Sequence, residues 1–357
     1  MGPALLLVLL VLLVAYANGA NDNMKGVATL YGSGAASFPR ALAWGTATTL
    51  AGSLTAMYAC SSLLLTFTGR ETIPGAWAGT PQLIVPVAAG TAATVILATA
   101  LSLPVSTTHA LLGGLLGAGL VLTGGEVRFL LLGKLFLLPL LFSPIAALLL
   151  TSVALRVMAW ASRRRTPCIC IGENAAVLAG PEVAASGRGG VWMCEIPARG
   201  EVRLRSRSDF PHFLSAGAVS FARGLNDTPK IAALLLVSHA FGLSGGMLLI
   251  GLAMAAGALL HSRRVAQTMG KGITAMSSGQ GCVANLVTSA LVIAASRFGL
   301  PVSTTHVSCG ALFGLGIVTR SGRRALMARI ALAWAITVPL SAGVAALAAW
   351  MILPGSR

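Results

Sequence analysis

Two carboxylates stand apart in this 357-residue sequence. Of its nine acidic residues, seven fall in polar stretches between apolar runs, and the other two, Asp22 and Asp227, sit at the apolar runs themselves. Each follows an Asn, Asn21 or Asn226, and each is followed three residues later by a Lys, Lys25 or Lys230. A carboxylate inside a membrane segment costs at least ~2.5 to 3.5 kcal/mol on insertion scales, so a functional role is its default reading. Asn and Asp oxygens are hard ligands suited to Na+, and Gly19 and Gly224 beside them would let the backbone open and offer carbonyls. The Asp could instead carry a proton. An Asp–Lys pair at i, i+3 on one helix face explains a single copy equally well, but its recurrence favours function.

The second recurring element is PVSTTH, at 104–109 and again at 301–306, each time after a Leu and before a Gly-rich apolar run. Pro fixes the chain before the turn, and Ser and Thr are strong N-cap residues for the helix that follows. A helix start offers unpaired N–H groups and partial positive charge, which with several hydroxyls suit an oxyanion. Ser106, Thr107, Thr108, Ser303, Thr304 and Thr305 are therefore the candidate anion ligands, although plain capping would need one hydroxyl rather than three. His109 and His306 are accessory candidates, as hydrogen-bonding neutral rings or as proton carriers. Gln280 and Asn285, just upstream of the second copy, could add polar contacts, a role that helix–helix hydrogen bonding explains equally well.

These residues need a scaffold, and composition dictates it. With 56% hydrophobic and 10% charged residues, the chain has too little polar surface for a soluble fold of this length. Ten apolar segments follow, several approaching the ~20 residues that a bilayer-spanning helix needs: 3–17, 41–66, 83–102, 106–122, 129–155, 211–222 with a continuation to about 240, 243–261, 281–296, 303–319 and 325–352. Their Gly and Ala content, without alternation, points to helices rather than a barrel. The fold class is an all-α polytopic membrane protein.

The net charge of +16 is concentrated: nine of the 25 Lys and Arg lie between 156 and 207, three more are Arg263, Arg264 and Lys271, and another four are Arg320, Arg323, Arg324 and Arg329. The positive-inside rule then puts the central loop in the cytoplasm and both termini outside, in a plasma (inner) membrane. Nucleic acid is excluded as a partner, because the central loop offers only Trp192 and Phe210 for stacking. Cys168, Cys170 and Cys194 lack a clear fourth ligand and read as free thiols, so no metal is expected beyond a sodium ion, and no cofactor.

Internal repetition organises the chain. ANGANDNMK at 17–25 matches ARGLNDTPK at 222–230 in Ala, Gly, Asn, Asp and Lys, and in both halves the Ser-Thr-Thr-His element follows about 80 residues later. Five segments precede the central loop and five follow it, so the second copy enters the membrane from the opposite side. The expected organisation is a first transmembrane repeat over 1–160, a cytoplasmic linker or minidomain over 161–210 and a second, inverted repeat over 211–357, with broken or re-entrant helices at the signatures. The small residues after the first apolar run resemble a signal-peptide cleavage site, but their partial copy deep in the chain makes retention the expectation, with residues 19–25 as a break in the first membrane helix.

At GANDNMK, GLNDTPK and the two copies of LPVSTTH, the chain resembles the inorganic phosphate transporter (PiT) family, over nearly all its length except the central loop. The resemblance implies a secondary transporter, not an enzyme, that takes up inorganic phosphate with Na+ or H+ by alternating access. By position, Asn21, Asp22, Asn226 and Asp227 would hold the coupling cation and anchor the site, and both Ser-Thr-Thr triplets would hold phosphate. Two departures stand out: Asn285 where related proteins often carry a Glu, and Met24 against Pro229 between the copies. Because the family includes sulfate carriers, a sulfate permease is the alternative, and a homodimer is compatible with the class. A hydrolase using Ser106, His109 and Asp22 is disfavoured by the duplication of all three residue types, and an open channel by broken helices around matched carboxylates.

Overall fold

The computed structural model describes residues 3–59, 64, 66–163, 194–195, 203–204, 209–238 and 242–352. Helices dominate. The first half comprises α1 (Pro3–Gly32), α2 (Phe38–Ala59), α3 (Pro81–Ala100), α4 (Thr107–Leu122), the short α5 (Phe129–Leu132) and, after a π-helical turn at Gly133–Leu137, α6 (Leu138–Arg163). The second comprises α7 (Phe210–Leu235), α8 (Leu243–His261), the short α9 (Arg263–Gln267) with a π-helical turn at Thr268–Gly272, α10 (Ser278–Arg297), α11 (Thr304–Thr319) and α12 (Arg324–Ile352). Each of the ten apolar segments is represented by helix. Between the halves, the described residues show only Cys194–Glu195 paired antiparallel with Arg203–Leu204; Cys168, Cys170 and most of 161–210 lie outside them.

Among the described residues, six helical stretches are long and apolar enough to cross a bilayer, so the chain is a multi-pass membrane protein. The 16-residue α4 and α11 are shorter: at 1.5 Å per residue each reaches about 24 Å, less than the ~30 Å hydrocarbon core. Both begin at the PVSTTH copies, where the preceding α3 and α10 end and the chain turns through 101–106 and 298–303. Interruption of the helical path is thus observed at these two signatures.

It is not observed at the Asn-Asp signatures, and here the expectation is corrected. α1 runs unbroken through residues 19–25, and α7 continues through Asn226 and Asp227 with Pro229 inside it. The glycines serve close packing instead of opening. A Cβ at Gly19 would lie 1.9 Å from the Met254 carbonyl oxygen on α8, and one at Gly224 would lie 2.1 Å from the Thr49 carbonyl oxygen on α2. Without an apolar solvent difference between lipid and side chain, such small-residue contacts are what let membrane helices associate.

The two halves exchange partners. α4 packs on α12 while α11 packs on α6, and α1 packs on α8 while α7 packs on α2. Matched glycines mediate these contacts: Gly113 and Gly117 face the Val338 and Ala342 carbonyls, as Gly310 and Gly314 face those of Pro144 and Leu148. These contacts bury the signature stretches of α1, α4, α7 and α11.

Candidate functional site

On α1, Asn18, Asp22 and Lys25 follow at i, i+4 and i+7 and share one face; Arg223, Asp227 and Lys230 do the same on α7. All six side chains are buried, with at most 4% exposure. Charges removed from water this completely must be paired and hydrogen-bonded, and the pairing joins both halves.

Lys25 Nζ is in direct contact with Asp22 and donates to Val105 O (2.7 Å), to Asn21 Oδ1 (3.1 Å) and, across the molecule, to Thr305 Oγ1 (2.5 Å). Lys230 repeats the arrangement, donating to Val302 O (2.6 Å) and across to Thr108 Oγ1 (2.9 Å), with Asp227 Oδ1 at 3.5 Å. Within each half, the first helical Thr donates to the carboxylate: Thr107 to Asp22 (3.3 Å) and Thr304 to Asp227 (3.4 Å). Each Lys thus ties its own PVSTTH turn to the hydroxyl of the other copy.

The Asn side chains hold the turns. Asn21 donates to Thr99 Oγ1 (2.9 Å) and Leu103 O (3.0 Å) and accepts from Val105 N (3.1 Å). Asn226 donates to Val302 O (3.2 Å) and Asp227 Oδ1 (2.9 Å) and accepts from Ser296 Oγ (3.1 Å). Their amides satisfy backbone groups that the interrupted helices leave unpaired. Ser106 and Ser303 meet the capping need, accepting from the backbone N–H groups of His109 (3.1 Å) and His306 (3.2 Å), which leaves both Thr pairs for the charged cluster. Ser106 is therefore bonded to the His109 main chain rather than to its ring, unlike a serine nucleophile and its base.

The imidazoles of His109 and His306 meet with ring centroids 4.2 Å apart, and Trp334 lies 4.0 Å from the His306 ring. His306 Nδ1 reaches Leu140 O at 3.4 Å, while His109 Nδ1 and His306 Nε2 have no hydrogen-bond partner among the described residues. Asn285 and Gln280 stand outside the charged cluster's hydrogen bonds. Asn285 bonds Thr29 and Ser215, and Thr29 bonds the His212 ring, so these four form a separate polar group between α1, α7 and α10. Gln280 completes a capping box with Ser277 at the start of α10.

A family model for the phosphate transporter family matches residues 18–345, which contain every element of this cluster. The chain belongs to the phosphate transporter family.

Among its relatives, a protein of Pyrococcus abyssi named as a candidate phosphate permease is 27% identical over 97% of both chains. A Rhizobium meliloti protein named as a probable low-affinity inorganic phosphate transporter is 30% identical over 75% of this chain and 73% of its own. With the candidate phosphate permease of Mycobacterium bovis, identity reaches 37%, but over only 43% of this chain and 31% of that relative. A solved structure described as the sodium-dependent phosphate transporter shares the fold, with a TM-score of 0.78 over 99% of this chain and 100% of its own at 19% identity.

Two buried members of this cluster are not singled out by the sequence. Asn18 Nδ2 lies within hydrogen-bond reach of Asp22 Oδ2 (3.0 Å), Thr107 Oγ1 (3.0 Å) and Asp227 Oδ2 (3.3 Å), bridging the two carboxylates. Arg223 donates to Asn18 Oδ1 (2.7 Å) and Asn23 Oδ1 (3.0 Å), with Nε 3.9 Å from Asp227 Oδ2. The i, i+4 spacing of each to its Asp was the available signal.

Proposed function

We propose that the protein is a secondary transporter that moves inorganic phosphate with a coupling cation by alternating access. One observation carries this reading: the starts of α4 and α11 are brought to a single buried cluster where Lys25 meets Thr305 and Lys230 meets Thr108 across the two halves. Hydroxyls, ammonium groups and two helix N-termini present donors and positive potential to one place, the combination that a small oxyanion requires. Three buried cations, Lys25, Lys230 and Arg223, face two buried carboxylates, Asp22 and Asp227, so an anion is the missing counter-charge. Thr107, Thr108, Thr304 and Thr305 would hold phosphate, with Ser106 and Ser303 fixing the helix starts. Asp22 and Asp227, supported by Asn21 and Asn226, would hold the coupling ion.

The names of the relatives favour phosphate over sulfate, and the sodium-dependent transporter that shares the fold favours Na+ as the coupling ion. The exchanged packing of α4 on α12 and α11 on α6 supports two inverted-topology repeats, 1–160 and 211–357, joined by a cytoplasmic linker in a plasma-membrane protein. Rocking one repeat against the other would break the cross-half Lys–Thr contacts on one side and expose the cluster. Uptake of labelled phosphate into proteoliposomes, driven by Na+ or pH gradients and challenged with excess sulfate, tests this. Gradient-dependent uptake that sulfate does not compete is expected; absence of uptake under either gradient would overturn it.

A further inference from the structure

The charged cluster is not closed off in the same way at its two ends. On α1, Thr29 follows Lys25 at i+4 and carries the polar face one turn further. Its hydroxyl lies 3.0 Å from His212 Nε2 and accepts from Asn285 Nδ2 at 2.9 Å. His212 Nδ1 lies 2.9 Å from Ser278 Oγ, which donates to Asp209 Oδ1 at 2.7 Å. Thr29, His212 and Asn285 have at most 3% exposure, whereas Ser278 and Asp209 are half-buried. Hydrogen bonds thus lead from one turn beyond Lys25 to the half-buried Asp209, at the end where α1 stops and α7 starts.

The matched end carries none of this. Aligning Asp22 with Asp227 and Ser106 with Ser303 places Thr29 opposite Leu234, His212 opposite Leu7 and Asn285 opposite Ala88. The second alignment holds along α3 and α10, which both have 20 residues and begin at matched positions. Leu7, Ala88 and Leu234 are wholly buried in a single apolar cluster. The difference extends to the space around the imidazole. A Cβ at Gly281 would lie 2.7 Å from His212 Nε2, and the matched residue is Ile84, buried in that same apolar cluster. Polar groups regain partners from water when helices part, so the net loss per bond is small. Apolar side chains forfeit their burial instead, and an apolar constriction sheds water. We propose that the group around His212 is the gate through which the buried site meets water more readily, and that the apolar end is the tighter seal.

The proposal rests on the transporter reading for its setting and adds a direction to it: the empty site favours opening toward the end where α7 starts, next to the central loop, and bound phosphate leaves that way. Helix–helix bonding alone accounts for polar side chains between membrane helices. It does not account for a group that reaches a half-buried carboxylate at one end and is replaced at the matched positions by apolar side chains at the other.

The test places one cysteine at each of two matched positions, Asn285→Cys and Ala88→Cys, both buried in the wild type. The purified full-length proteins, in one detergent and in choline chloride without phosphate, are treated with sulfonatoethyl methanethiosulfonate, a charged thiol reagent that travels through water. Labelling beyond that of the wild-type cysteines is followed by mass spectrometry. Asn285→Cys should label on the order of tenfold faster than Ala88→Cys, the scale of a modest population shift between two states. Adding His212→Leu, which copies Leu7, should slow Asn285→Cys toward the rate of Ala88→Cys. Equal rates, faster labelling of Ala88→Cys, or no slowing by His212→Leu in protein that still melts cooperatively overturns the proposal. Should a variant not fold, hydrogen–deuterium exchange of the wild type decides: amides of residues 281–289 should exchange faster than those of 84–92, and equal or reversed rates overturn it. Absence of phosphate uptake would refute the transporter reading alone, because neither comparison depends on transport.

Discussion

Replacing Gly19 by Ala separates two roles that a glycine beside a buried carboxylate can play. If Gly19 were a hinge that opens α1, Ala would restore the backbone entropy that a mid-helix glycine costs, stabilising the protein by about 0.5 to 1 kcal/mol while impairing transport. The structure predicts the opposite sign. A Cβ there would meet the Met254 carbonyl oxygen at 1.9 Å, about 1.5 Å short of the 3.4 Å at which ordinary contact begins. α8 cannot retreat freely, because Gly257 on the same helix is seated against the Tyr16 carbonyl with an equivalent Cβ separation of 1.9 Å. Overpacking of this kind costs about 1 to 3 kcal/mol, which outweighs the entropic gain. Gly343→Ala on α12 is the control: nothing lies within 4 Å of its Cβ, so only the entropic term remains and the melting temperature should rise. Thermal melting of purified wild type, Gly19→Ala and Gly343→Ala in one detergent is the assay. Gly19→Ala melting at or above wild type would refute the packing argument and restore the hinge.

Three further outcomes follow from the cluster and its surroundings. Lys25→Met leaves Asp22 buried without its contacting ammonium and should destabilise by about 3 to 5 kcal/mol; adding Asp22→Asn should recover much of that stability without transport, and additive losses in melting would contradict the pairing. Thr108→Val and Thr305→Val each remove a hydroxyl bonded to the opposite half's Lys, so each should forfeit about 1.5 to 3 kcal/mol of charged hydrogen bonding and impair phosphate uptake similarly, and a neutral result in one would break their equivalence. Gln280→Ala should cost stability of about 0.5 to 2 kcal/mol through its capping box and leave the KM for phosphate unchanged, whereas a raised KM would return Gln280 to the substrate site.

Much of the scaffold was legible because its causes are local. Apolar runs marked all ten segments, and the rarity of acid within them singled out Asp22 and Asp227 before any coordinates. The PVSTTH copies were readable as helix starts because Ser caps and Pro restrictions act within a few residues, and Ser106 and Ser303 do cap. The glycines misled for the same local reason. Gly19 and Gly224 carry intrinsic flexibility in any context, and nothing in the flanking residues reveals that a neighbouring helix passes so near that no Cβ fits.

The sequence by itself determined the class of protein, the position of its helices, the duplication and the residue types that recur at the signatures, all of which depend on composition and short-range periodicity. Only the tertiary structure decided that Lys25 meets Thr305 while Lys230 meets Thr108, that Asn18 bridges both carboxylates, that Asn285 belongs to another polar group, and that Arg223 lies buried among oxygens. Lys25 and Thr305 stand 280 residues apart. What joins them is the requirement that every charge taken from water find a partner, and which partners are within reach is set by the packing of helices across the two halves.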